Sequence, residues 1–160
     1  MQIIDFNKYA HLNQVINLFS LYPQIFPPVE IELLKSDLLA SSSDTLHNWV
    51  AVSNEKVVGF VSLSTFYDTN NSWQINWLVV DPKFHRRGCG SDLVNKTIAA
   101  SKDLNLSQLW VETCSCDNET QARNLYLKSG FKEIARLPDY YSTGHSKVVY
   151  LRVISSNPVS

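Results

Sequence analysis

The run from Trp77 to Val94, WLVVDPKFHRRGCGSDLV, holds the residue types and spacing best suited to chemistry, and that chemistry is anion binding. Strand-like Trp77 to Val80 gives way at Asp81-Pro82, because proline offers no N–H to a ladder and biases the residue before it away from helix. His85, Arg86, Arg87, Gly88, Cys89, Gly90 and Ser91 then lead into a helical pattern, with Leu93, Val94, Thr97, Ile98, Ser101 and Leu104 recurring at three- and four-residue spacing. Gly88 and Gly90 have no side chain to keep a ligand from the backbone N–H groups. The helix start adds unpaired donors and the positive end of a dipole, so a phosphate fits there. The simplest nucleotide motifs do not match. A dinucleotide fingerprint needs a third glycine where Leu93 stands, and the phosphate-loop pattern needs a longer gap and a Gly-Lys-Ser/Thr that is missing.

The loop and its flanks resemble those of the GNAT superfamily of N-acetyltransferases. That family's signature, Gln/Arg-x-x-Gly-x-Gly/Ala, follows a strand ending in Val-x-Pro and opens a helix. Here His85-Arg86-Arg87-Gly88-Cys89-Gly90 follows Val80-Asp81-Pro82, with His85 departing from the family's Gln or Arg. A second stretch, NETQARNLYLKSGF from Asn118 to Phe131, is similar to the family's Asn…Ala-x-x-Leu-Tyr-x-Lys-x-Gly-Phe block. Ala122, Leu125, Tyr126, Lys128, Gly130 and Phe131 are in register, and Asn118 stands one residue further from Ala122 than in the commonest version. The resemblance covers residues 48–153 and leans toward the bacterial branch related to ribosomal-protein N-terminal acetyltransferases.

The resemblance implies one α+β domain over residues 1–160. Its central sheet would be mixed and mostly antiparallel, with a parallel, splayed strand pair and helices on both faces. Acetyl-coenzyme A would enter where the strand ending at Val80 parts from the strand Leu109 to Thr113. The pantetheine arm would lie along the backbone of Leu78, Val79 and Val80 and beside Asn118. The pyrophosphate would sit on the loop His85, Arg86, Arg87, Gly88, Cys89, Gly90 and Ser91, with the thioester toward Tyr126. The implied reaction is transfer of the acetyl group to a primary amine, of a small molecule or of a peptide or protein, by direct attack in a ternary complex.

An alkyl amine has a pKa near 10, so something must take its proton before or during attack, and the departing thiolate is helped by an acid. Tyr126 is the family's acid; the other reading is an aromatic of a core face with Ala122 and Leu125. Glu112 lies where the ribosomal-protein branch carries a glutamate that acts as base through water, although its spacing to Tyr126 is two residues longer than in that branch. The other reading of Glu112 is a strand-end carboxylate in a salt bridge. Asn76 could hold a water, and His145 or His47 could replace Glu112 as base. For the acceptor, the family points to Tyr22 and Phe26 in the proline-rich segment Tyr22 to Pro28, and to Tyr140 and Tyr141 in the hairpin Pro138 to Lys147. That pair resembles the tyrosines of N-terminal peptide acetyltransferases; the plainer reading is aromatic cover of a hairpin.

The elements that must position these residues can be read in order. Gln2 to Phe6 is a short strand, and Leu12, Val15, Ile16 and Phe19 fall on one helical face. Three prolines make residues 22–28 a loop; a second helix follows with Ile31, Leu34, Leu38 and Leu39 apolar, then a polar linker from Ser41 to Asp44. Trp49 to Val52 and Val57 to Thr65 form a hairpin around Ser53-Asn54-Glu55-Lys56, and Ser72 to Val80 returns as a strand. After the central helix come a strand at Leu109 to Thr113, a helix from Glu119 to Ser129 that Gly130 caps, and strands at Phe131 to Ala135 and Lys147 to Val153.

The chain has 160 residues, 44% of them apolar, and a net charge of −1, which suits one globular domain and offers no broad basic surface to nucleic acid. No apolar run reaches the ~20 residues that cross a bilayer, and the opening MQIIDFNKYA lacks the order of a signal peptide, so a cytoplasmic protein without a membrane partner is expected, as monomer or homodimer. Its three cysteines, Cys89, Cys114 and Cys116, make no disulfide framework, and Cys114-x-Cys116 without a second Cys/His pair is a poor metal site; thiols and no metal are expected. Two rival classes stand beside the enzyme. A non-catalytic acyl-coenzyme A sensor or interaction module would keep the loop without turnover. A nucleic-acid binder would use Lys83, His85, Arg86 and Arg87, a cluster that supplies few phosphate contacts.

Overall fold

The computed structural model describes residues 1–40, 44–65 and 71–155. Among them the order is β1 (Gln2–Asp5), α1 (Lys8–Phe19), α2 (Pro28–Ala40), β2 (Leu46–Ser53), β3 (Lys56–Ser64), β4 (Ser72–Val80), α3 (Cys89–Asp103), β5 (Gln108–Cys114), α4 (Thr120–Lys128), β6 (Lys132–Ser142) and β7 (His145–Val153). The strands form one sheet in the order β1-β2-β3-β4-β5-β7-β6. The β1/β2, β5/β7 and β6/β7 pairs are antiparallel, whereas β4 and β5 run parallel, which requires a crossover; α3 lies between them in sequence. The mixed, mostly antiparallel α+β sheet is therefore as expected. The parallel register covers Ser72 to Gln74 against Gln108 to Trp110, after which β4 runs on to Val80 and β5 to Cys114.

The chain divides into two compact units, Met1–Leu63 with Trp77–Leu93 and Ser64–Asn76 with Val94–Ser160. The first has a core of Val15, Leu18 and Phe19 from α1, Leu34 and Leu38 from α2, Val50, Val57 and Phe60 from the hairpin, and Val79 from β4. Asn7 starts α1 by accepting the N–H groups of Tyr9 and Ala10, two donors the helix itself cannot satisfy. Pro28 is the first residue of α2, where its missing N–H costs nothing, so the proline-rich loop ends one residue earlier than expected. Leu39, expected on the apolar face, is half exposed. Most of the expected Ser41 to Asp44 linker lies outside the described residues. Asn54 and Glu55 take φ of 49° and 62°, the left-handed pair that a two-residue hairpin turn needs to match strand twist.

The second unit also departs from expectation. Leu104 lies just past the end of α3 and is exposed, while Leu106 is the buried residue there. A short 3₁₀ turn over Asp117–Glu119 precedes α4, so the helix begins at Thr120 rather than Glu119. β6 does not end at Ala135 but passes through Pro138 to Ser142, so the hairpin connection is Thr143 and Gly144 rather than Pro138 to Lys147. The reason is that β6 ends the strand order, with β7 as its neighbour. A proline there breaks no inner ladder, and the register shift between Leu137 and Ser142, with Asp139 at φ 52°, absorbs it as a bulge.

Candidate active site

In the first unit the anion loop is built by its backbone. Asp81 accepts the Lys83 N–H, and its own N–H donates to Val58 O, which pins the start of the loop to β3. Arg86 and Gly88 take φ of 59° and 84°; left-handed residues alternating with ordinary ones turn successive N–H groups to one side and make an anion concavity. The N–H groups of His85 and Arg87 already donate to Pro82 O at 3.2 Å and Phe84 O at 3.4 Å. The first bond of α3 runs from Asp92 N–H to Gly88 O, so the amides of Cys89, Gly90 and Ser91 precede the helical ladder. A Cβ built on Gly88 meets nothing within 4 Å, so the space over the loop is open to a ligand. This donor set fits a pyrophosphate.

The helix start is held by contacts that the loop motif does not reveal. A Cβ on Gly59 of β3 would come 2.8 Å from Leu93 Cδ1 and 2.9 Å from Cys89 Sγ, so α3 can approach β3 only over a glycine. Cys89 is buried, and burial, then Asp92, pushes its thiol up to about 11. Its side chain belongs to the packing; only its amide faces the question of binding.

His85 turns its ring toward the end of β4. The Tyr22 hydroxyl donates to Val80 O and lies 2.8 Å from His85 Nε2, which is also 3.3 Å from Val80 O. With the Tyr22 proton committed to the carbonyl, Nε2 is the nitrogen that carries hydrogen. Burial, then Asp81, pushes the Tyr22 phenol up to about 12. Tyr22 thus ties the α1–α2 connection to the loop, and Phe26 packs edge-on against Phe19 at 4.7 Å beside Trp77. Neither role was visible in the sequence, where both residues pointed to the acceptor.

In the second unit Tyr126 is buried at the end of α4. Gly130, at φ 82°, closes that helix: its N–H donates to Leu127 O and the Phe131 N–H to Tyr126 O, a paired cap that leaves the Phe131 ring 5.6 Å from Tyr126. Burial above all, and then Glu119, raise the Tyr126 phenol well above its ordinary value. It is a neutral hydroxyl throughout the working pH range.

Glu112 pairs with Lys147, Nζ to Oε2 at 2.9 Å, and the same ammonium sits 4.1 Å from the centre of the Tyr140 ring. Burial alone would lower Lys147, but its bonds to Glu112 and Tyr140 and the charges of Glu112 and Tyr141 together raise it. Tyr141 meets Tyr140 edge to face at 5.0 Å, and its phenol is pushed up to about 12 by burial, Lys147 opposing and Glu112, Glu119 and Cys114 adding. Lys147 was missed because nothing in its local sequence distinguishes it; only strand register brings it to Glu112. Asn76 donates its amide N–H to Ser64, and among the described residues its Oδ1 is buried without a partner. His145 is exposed with Nδ1 2.8 Å from Ser142 Oγ, and His47 stacks on Trp49 at 6.0 Å with burial lowering its pKa.

At the end of β5 and just after it, Cys114, Cys116 and Glu119 bring ligand atoms within 4.8 Å of one another, and all three cysteines of the chain are free. Glu119 completes a trio the cysteine spacing alone did not show. Its Oε2 already accepts the Cys114 N–H at 2.8 Å, and Arg123 donates to the carbonyls of Cys114 and Cys116, a fixed positive charge that opposes a cation. Asn118 lies in the same 3₁₀ turn. No helix among the described residues is long and apolar enough to cross a membrane.

The same layout recurs in known proteins. A family profile, the acetyltransferase (GNAT) family, matches residues 12–131. N-alpha-acetyltransferase 30 of Dictyostelium discoideum is 27% identical over 151 residues, 91% of this chain and 77% of that one. An aminoglycoside 6'-N-acetyltransferase complexed with coenzyme A superposes with a TM-score of 0.84 over 99% of this chain and 100% of its own, at 17% identity. The ribosomal-protein-S18-alanine N-acetyltransferase of Escherichia coli does so at 0.78, over 98% and 96%, at 19% identity. At such identities the superpositions speak for the fold, whereas the profile covers most of the chain. The protein belongs to the acetyltransferase (GNAT) family and is an acetyl-coenzyme A-dependent N-acetyltransferase.

Proposed function

We propose that this chain, acting as one catalytic domain, acetylates a primary amine of a small molecule or peptide by direct attack in a ternary complex. The observation that carries the reading is the loop from Arg86 to Ser91, whose left-handed turns and helix start leave the amides of Cys89, Gly90 and Ser91 ahead of the helical ladder, with open space at Gly88. Acetyl-coenzyme A supplies an activated acyl group. The amides of Arg86, Gly88, Cys89, Gly90 and Ser91 bind its pyrophosphate, and the main chain of Leu78 to Val80, with Asn118, takes the pantetheine arm. His85 and Tyr22 contribute by fixing the Val80 carbonyl.

Tyr126 gives a hydrogen bond to the leaving sulfur. Because its phenol is less acidic than an ordinary one, it stabilises the departing thiolate as a donor rather than by giving up its proton outright. Glu112 takes the amine proton through a water that Asn76 Oδ1 helps to hold. Tyr140 and Tyr141, half exposed on β6, offer aromatic faces to the acceptor. The compartment is cytoplasmic in this reading.

The test incubates the protein and acetyl-coenzyme A with a panel of alkyl amines, aminoglycosides and N-terminal peptides and follows free thiol. Acceptor-dependent release is expected; binding of acetyl-coenzyme A with no release for any amine would make the chain a sensor instead.

A further inference from the structure

Lys147 places its own primary ammonium where this enzyme's acceptor chemistry would place a substrate's. It stands on β7 opposite Cys114, and so one diagonal step from Glu112 on the same face of the sheet. Its Nζ bonds Glu112 at 2.9 Å and lies over the Tyr140 ring at 4.1 Å, with Tyr141 edge-on to that ring. The Lys147 side chain is 14% exposed and that of Glu112 31%, so the ammonium is the better-sheltered member of the pair. A carboxylate beside aromatic faces is the set of groups that recognises an alkylammonium.

We propose that Lys147 is a built-in competitor of the acceptor: its ammonium fills the place on Glu112 and Tyr140 that the acceptor's ammonium must take, and catalysis begins when the acceptor displaces it. This rests on the reading of Glu112 and the tyrosine pair as the acceptor side. One consequence follows from the geometry. The acceptor must carry an unhindered primary ammonium on a flexible carbon chain, because only such a group reproduces the contacts of Lys147. Displacement is feasible because a partly exposed ion pair is weak and lysine has four rotatable bonds with which to swing clear. A side chain tethered beside its site competes at an effective concentration on the order of millimolar and so raises the apparent Michaelis constant of acceptors of this class.

The experiment compares wild type, Lys147→Met and Lys147→Arg with two probes, n-butylamine, which is charged at neutral pH, and aniline, which is not. Steady-state kinetics at saturating acetyl-coenzyme A give KM for each, and calorimetry of n-butylammonium without acetyl-coenzyme A gives Kd apart from turnover. Lys147→Met keeps the stem and removes the charge; it should lower KM and Kd for n-butylammonium about 10-fold, the scale of a removed tethered competitor. Lys147→Arg, whose planar fork grips a carboxylate in two bonds, should raise both. Aniline should change little in either variant. If Lys147→Met leaves n-butylammonium binding unchanged or weaker, or weakens both probes alike, Lys147 merely braces the hairpin and the proposal is overturned. Should Lys147→Met not fold, Lys147→Gln and Lys147→Arg carry the same comparison. Absence of turnover with every amine in the wild type would defeat the enzymatic reading, while the calorimetric arm would still decide the competition.

Discussion

Phe131 donates its backbone N–H to the carbonyl of Tyr126 at 3.0 Å and lays its ring 5.6 Å from the tyrosine's, so the cap that ends α4 also orients the side chain assigned to the leaving group. A single glycine, Gly130, makes both contacts possible. The local chemistry of a helix terminus thereby fixes the position of the Tyr126 side chain.

Tyr126→Phe should keep that ring packing and lose only the hydroxyl. We expect kcat to fall by about 10²-fold, the scale of losing one hydrogen-bond donor to a developing anion, with the KM for acetyl-coenzyme A little altered. An unchanged kcat would leave Tyr126 as core alone.

The same residue predicts an alkaline limit of stability. Burial raises its folded-state pKa, so above the unfolded value near 10 the unfolded chain loses the proton first and νU is smaller than νN. The stabilisation is therefore complete below about pH 10 and lost as pH rises, at up to about 1.4 kcal/mol per pH unit. Denaturant titrations at pH 9 and 11 should show a smaller decline in Tyr126→Phe than in wild type.

Gly130→Ala forces a left-handed alanine whose Cβ would collide with Arg152 Nη1, which donates to Ser129 O. The backbone penalty and the weakened arginine bond together should cost about 2–3 kcal/mol. That corresponds to a fall in Tm of roughly 5–10 °C for a chain of this length. A loss under about 1 kcal/mol would mean that the arginine simply moves aside and the turn is not strained.

Gly90→Val tests the amide row. Acetyl-coenzyme A at about 100 times its Kd should stabilise the wild type by roughly 2.7 kcal/mol, read as a Tm shift. The folded variant should show none, since a branched side chain at the start of α3 obstructs the approach of a phosphate. A normal shift would move the pyrophosphate off this loop.

Glu112 is best tested with an acceptor that is already neutral, so that the acid limb of kcat/KM does not report the amine. We expect that limb in the wild type and its disappearance in Glu112→Gln, with the greatest loss for strongly basic amines. A limb that persists with its midpoint unmoved would direct the search for the base to His145, His47 or a water on Asn76.

What could be read directly from residue order was whatever is decided within a few residues. The loop from His85 to Ser91 was legible because two glycines, a proline and a helix start act over that short span, and β4 was read to its ends because Trp73, Ile75, Trp77 and Val79 recur at every second position up to Asp81-Pro82. Gly130 was legible as a cap for the same reason. Tertiary structure decided the rest. The Tyr22–His85 contact spans 63 positions, and Glu112 meets Lys147 only through the β5/β7 register, which no local pattern encodes. Pro138 read as the start of the hairpin connection, yet at the edge of the sheet its missing N–H needs no partner and β6 continues through it. Cys89 read as part of a binding loop, but its thiol is packed into the space that Gly59 leaves on β3. Backbone chemistry is a property of sequence neighbours; which side chain faces which is settled only when distant strands and helices are brought together, because the energies that choose among those contacts belong to packing and register.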